Sequence, residues 1–179
     1  MDNPYRIKMA VLVDGERLPI VLRRVDGMPL FDPTVYALSQ VRGRSLSAAT
    51  VERHLRGIMH LQVFAEAEGI DIDERVKSGR LLTMYELDAL TEAAGRPIEV
   101  LVERLARRRE ATTVPGAATR TVSLERYRAR LKKDAEPSVV AESTGTRLRI
   151  IRDYLRWLVT RQVGRLADDG EVAKRLAFL

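Results

Sequence analysis

STGTRLRIIRDYLRWLVTRQ, residues 143–162, is the stretch on which the rest of the chain is organised. Leu148, Ile151, Leu155 and Leu158 recur at i, i+3, i+7 and i+10, the spacing of a helix that buries one stripe. Arg149, Arg152 and Arg156 recur at i, i+3 and i+7 on a neighbouring stripe. No apolar core accepts guanidinium groups without partners. The pattern therefore predicts a helix over Thr144–Gln162 that buries one face and offers the other to an anion. Ser143 or Thr144 is its expected N-cap, since a hydroxyl there takes an orphan amide of the first turn.

The same combination occurs earlier. Ser47 caps a predicted helix Ala48–Glu68, which Gly69 closes. Val51, Leu55, Ile58 and Ala65 form its apolar stripe with Leu61 on the flank, and Arg53, Arg56 and His60 fall at i, i+3 and i+7 on the opposite face. Two helices thus carry cationic groups in equal steps beside a buried stripe.

Between and around them the punctuation is local and clear. Arg6–Val13 and Leu18–Arg23 read as strands joined at Asp14-Gly15, a hairpin signal. Asp26-Gly27 repeats that signal, with Met28–Phe31 as a third short strand. Asp32-Pro33 is read as N-cap and first residue of a helix that ends at a left-handed Gly43. Asp71 or Asp73 caps a single turn stopped by Gly79. Thr83 and Glu86 form a capping box for a helix to Ala94. Pro97 starts a helix Ile98–Glu110 with Leu101, Val102 and Leu105 inward. Residues 111–143 are weakly patterned, with a basic helix expected at Ser123–Lys133. The expected fold is mainly α: a helical bundle over 32–165, with a small N-terminal antiparallel β meander over 1–31. Residues 111–143 form a mobile basic insertion in it, and 166–179 begin a linker or a further helix, expected at Glu171–Leu179.

Composition narrows the chemistry. The chain has 179 residues and no cysteine, which removes disulfides, thiolate nucleophiles and cysteine zinc sites. No apolar run nears the ~20 residues of a membrane span, and no secretory leader is visible, so a cytoplasmic protein is expected. The net charge of +6 is uneven: residues 1–99 carry 13 Lys/Arg against 15 Asp/Glu, residues 100–165 carry 16 against 7. A concentrated cationic excess suits a polyanion, because arginines and lysines displace the counterions condensed on phosphates. His54 and His60 are six apart and do not form a helical metal pair, and the sequence contains no phosphate-loop, dinucleotide or nucleophile-elbow motif. Neither cofactor nor metal nor small-molecule substrate is implied.

Two segments resemble a family. RSLSAATVERHLRGIMHLQVFAEAEGID is similar to the opening helix of the core-binding domain of tyrosine site-specific recombinases, the phage-integrase family, through Ser47, Thr50, Val51, Leu55, Ile58 and Gly69. STGTRLRIIRDYLRWLVTR is similar to that domain's final helix, where T-x-x-R-L-x-x-I-R-x-Y-L-x-W-L recurs; Thr144, Arg147, Leu148, Ile151, Arg152, Tyr154, Leu155, Trp157 and Leu158 match. The resemblance implies a small helical bundle that clamps one side of duplex DNA and meets other recombinase protomers on it. The family's His-x-x-Arg is missing: Gly57 and Val63 stand three residues after His54 and His60. The chain is thus expected to be the non-catalytic N-terminal part of such a protein. The expected DNA contacts are Ser47, Thr50, Arg53, Arg56, Arg147, Arg149, Arg152 and Arg156, with Lys132 and Lys133 of the basic insertion. A helical protein–protein interaction module and a helix-turn-helix regulator are the alternatives.

Overall fold

The computed structural model describes residues 2–13, 15–44, 47–113 and 141–165. Strand β1 (Tyr5–Val11) pairs antiparallel with β2 (Arg17–Arg23), Tyr5 opposite Arg23 and Val11 opposite Arg17. Gly15 supplies the positive φ of the first turn, and the Leu12 amide donates to the Glu16 carbonyl at 2.8 Å. β2 is buried on both faces from Leu18 to Leu22, which is why its sequence, LPIVL, does not alternate. The expected three-stranded meander reduces to this hairpin. The segment after Gly27 makes only an isolated bridge, Leu22 with Pro29. Proline has no amide to continue a ladder, and a helix begins two residues later.

That helix, α1 (Phe31–Tyr36), differs from the predicted start. Its N-cap is Leu30 and no side chain caps it. Pro33 is the third helical residue, a position whose amide has no intrahelical partner. The Asp32 carboxylate is drawn away to an ion pair with Arg161. The chain continues through a π turn at Ala37–Val41 and a 3-10 turn at Arg42–Arg44. Gly43 lies inside that turn without a positive φ, so it is not a left-handed stop.

The next caps follow local chemistry closely. Helix α2 (Ala48–Glu68) has Ser47 accepting from the Thr50 amide and ends at Gly69, φ 70°. Helix α3 (Ile72–Lys77) is capped by Asp71. In α4 (Met84–Ala94) the Thr83–Glu86 capping box is complete on both sides. Helix α5 (Ile98–Thr113) and helix α6 (Ala141–Arg165) both run further than the periodicity predicts. The expected insertion is therefore bounded by 113 and 141. Its predicted helix, with Lys132 and Lys133, lies outside the described residues, as does 166–179.

α2 is the central element: β1, β2, α4, α5 and α6 all pack on it. Leu55, Ile58, Leu61 and Phe64 of α2 share one core with Val21 of β2, Leu101 and Leu105 of α5, and Ile151 and Tyr154 of α6. The hairpin is therefore built into the helical core and is not a separate appendage. α6 is turned relative to the predicted stripe. Ile150, Ile151, Tyr154 and Leu158 are buried, while Leu148 and Leu155 are only half-buried. Tyr154, 1% exposed, sits against Tyr36 and Trp157 with ring centroids 5.3 and 6.0 Å away. This aromatic cluster joins α6 to α1. Among the described residues no helix is long and apolar enough to cross a membrane.

Candidate nucleic-acid interface

Where α2 and α6 cross, the backbones approach closely. A Cβ on Gly57 would stand 2.8 Å from Ile150 Cγ2. The close approach at Gly57 and Ile150 forms the floor of a groove of about 890 Å³. Its walls come from β1, the first half of α2, the start of α5 and the start of α6. Five arginines line it (Arg6, Arg24, Arg53, Arg56 and Arg147) against two carboxylates, Glu52 and Glu99.

The five are not equivalent. Arg56 is paired with Glu52 at 2.6 Å, the i, i+4 partner on its own helix. Arg147 is half-buried and points inward: one Nη donates to the Ala94 carbonyl at 2.5 Å and the Arg96 carbonyl at 2.9 Å. These are orphan acceptors at the end of α4, so Arg147 acts as an internal cap, and its burial lowers its basicity. The side chains of Arg6, Arg24 and Arg53 make no hydrogen bond or ion pair among the described residues. Elsewhere arginines are largely neutralised: Arg23 by Asp26, Arg42 by Glu16, Arg75 by Glu86, Arg109 by Glu66.

His60 corrects the predicted cationic trio on α2. It is 2% exposed, and its Nε2–H donates to the Ala93 carbonyl at 2.8 Å. Burial first, and the nearby Arg147 charge after it, lower its pKa to about 4, only partly opposed by that hydrogen bond and by Glu99. It is therefore neutral at pH 7. The middle of α2, from Gly57 to Ala65, is buried or half-buried all round, which periodicity within one helix does not reveal.

On α6, Arg149, Arg152 and Arg156 are exposed on one stripe, as predicted. Arg152 reaches Asp153 at 2.8 Å; the guanidinium groups of Arg149 and Arg156 have no partner among the described residues. The stripe lies outside the groove lining, with Arg152 and Arg156 about 120° and 80° round the helix from the lining residue Thr146. Thr146 lines the groove, and Arg149 is about 60° further round the helix, at 100° per residue. Ser47 and Thr50 stand at the exposed start of α2, their hydroxyls 3.1 Å apart and engaged in the cap. Arg53, Arg56 and Arg147 are thus brought together, and of the α6 stripe Arg149 stands nearest to them round the helix. Sequence reading missed Arg6 and Arg24. Arg6 entered that reading only as the first residue of a predicted strand.

A second hollow, of about 410 Å³, has the opposite character, with Asp32, Asp71 and Asp73 in its lining. Burial, then repulsion from Asp32 and Asp71, raises the Asp73 pKa. An anion is repelled there and attracted at the arginine groove.

Two three-residue turns join helices, Gly69 to Asp71 and Gly95 to Pro97. Neither following helix presents a basic start: α3 opens with Ile72, Asp73 and Glu74, α5 with Ile98 and Glu99. That composition is unsuited to the recognition helix of a helix-turn-helix unit, whose first residues meet DNA. Among the described residues no group of histidines and carboxylates is arranged to hold a metal ion. No family model, no curated protein and no solved structure matches this chain.

Proposed function

We propose that this chain is a duplex-DNA-binding module that grips phosphates with the basic faces of α2 and α6. In its finer form the proposal is that it serves as the N-terminal, non-cleaving part of a tyrosine recombinase and meets further protomers on DNA. The observation that carries the binding role is the α6 stripe. Arg149 and Arg156 are exposed and unpartnered on a long helix fixed to the core by Ile151, Tyr154 and Leu158. Most other described arginines have a carboxylate or carbonyl partner, so these two retain their full capacity for a new anion. Contacts of this kind position a protein on DNA and do not read its sequence. The recombinase assignment is supported by the residue strings at 44–71 and 143–161.

The test is a titration of the protein onto a labelled duplex at several salt concentrations. Changing Arg149, Arg152 and Arg156 together to glutamine is expected to flatten the slope of log affinity against log salt by up to ~3 units, close to one per lost phosphate contact. A wild-type slope in that variant would refute the role of the stripe.

A further inference from the structure

The hairpin contributes two of the unpartnered guanidinium groups in the groove, and they face an unpartnered one on α2. We infer that Arg6, Arg24 and Arg53 form a phosphate-binding site, so that the hairpin is the second wall of the DNA clamp. This rests on the duplex-binding proposal and extends it to an element that the charge distribution did not implicate. Residues 1–99 carry slightly more acid than base, yet the fold gathers three of their arginines, free of partners, around one groove.

The ligand class follows from what lines the groove. A guanidinium fork matches the paired oxygens of a phosphodiester. Stacking platforms for bases are sparse: Tyr5 is the aromatic residue in the lining, and its hydroxyl donates to Glu66. A site with cations and little aromatic surface takes a nucleic-acid backbone and not unstacked bases. The site also opens toward more charge. A strand leaving the groove past Thr146 would meet Arg149 first, and would have to wrap round α6 to reach Arg156 and Arg152. A small anion would fill only the groove, whereas an extended polyanion uses both. One feature suits a different ligand. β1 pairs only with β2 among the described residues, and its other edge borders the groove, where a peptide strand would add. An acidic peptide is therefore built into the test.

The experiment compares wild type, the Arg6→Gln/Arg24→Gln pair, Arg53→Gln, and the α6 triple variant in the same salt-series titration. All the altered groove residues are exposed, and circular dichroism verifies that each variant is folded. The hairpin pair is expected to flatten the log–log slope by ~2 units and to weaken binding roughly 60-fold at about 0.1 M salt; Arg53→Gln is expected to flatten it by ~1 unit. A wild-type slope in the hairpin pair, with flattening in the α6 triple, overturns the inference and leaves the duplex-binding proposal standing. Absence of salt-dependent duplex binding by the wild type overturns both. Displacement of the duplex by polyglutamate at equal charge concentration overturns the phosphate assignment in favour of a carboxylate-rich partner.

Discussion

His60 offers the sharpest test of the packing, because sequence periodicity and structure give it opposite surroundings. In the fold it is buried and neutral, with a pKa lowered from 6.5 to about 4. The unfolded chain therefore binds this proton first as pH falls. The resulting stability is fully present above about pH 6.5 and is lost between there and pH 4. At about pH 5 the two proton-binding terms differ by about 2 kcal/mol, and below both pKa values the loss reaches about 3 kcal/mol. The perturbation is His60→Gln, whose side-chain amide can still donate to the Ala93 carbonyl but does not titrate. The assay is urea unfolding of both proteins at about pH 7.5 and about pH 5. All other titrating groups are shared, so the variant is expected to lose about 2 kcal/mol less than wild type across that interval. Equal losses would place His60 in solvent on the face with Arg53 and Arg56, and would refute its burial in the middle of α2.

Two further outcomes concern the α2–α6 crossing. Gly57→Ala gains up to ~1 kcal/mol of helix propensity, but its methyl group meets Ile150 Cγ2 at 2.8 Å. An overpacked crossing costs ~1–3 kcal/mol, so a net loss is expected in the melting midpoint, and a stabilised variant would show that the helices separate at no cost. Arg147→Met removes two charge-assisted hydrogen bonds to the α4 end and is expected to cost about 1–2 kcal/mol in urea unfolding. Its salt slope on DNA is expected to match wild type while the protein is folded; a slope lowered by ~1 unit would return Arg147 to the phosphate contacts.

What the sequence made legible was local. Ser47 and Gly69 bound α2 at both predicted ends, and the Thr83–Glu86 box was readable because all its partners lie within four residues. The errors share a different cause. Asp32 leaves its predicted cap position because Arg161, 129 residues away, takes its carboxylate. Tyr154 and Ile150 displace Leu148 and Leu155 from the core because α6 meets α2 at a glycine and α1 at an aromatic cluster, neither of which is encoded within α6. For the site, the sequence identified Arg53, Arg56 and the α6 stripe as exposed cations. It could not identify which of them would be paired, nor that the hairpin would bring Arg6 and Arg24 to the same groove. Such proximity is a property of the assembled fold.

The ties between α1 and α6 also set an order in time. Tyr36 packs on Tyr154 and Trp157, and Asp32 pairs with Arg161. During synthesis at ~5–20 residues per second, α1 waits roughly 6–25 s for these partners to be made. Through that interval Gly57 has no Ile150 against it and the arginine groove has no α6 wall. The proposed phosphate-gripping surface thus comes into existence only with the final described helix, and a nascent chain lacking it presents the hairpin and α2 arginines without the α6 wall.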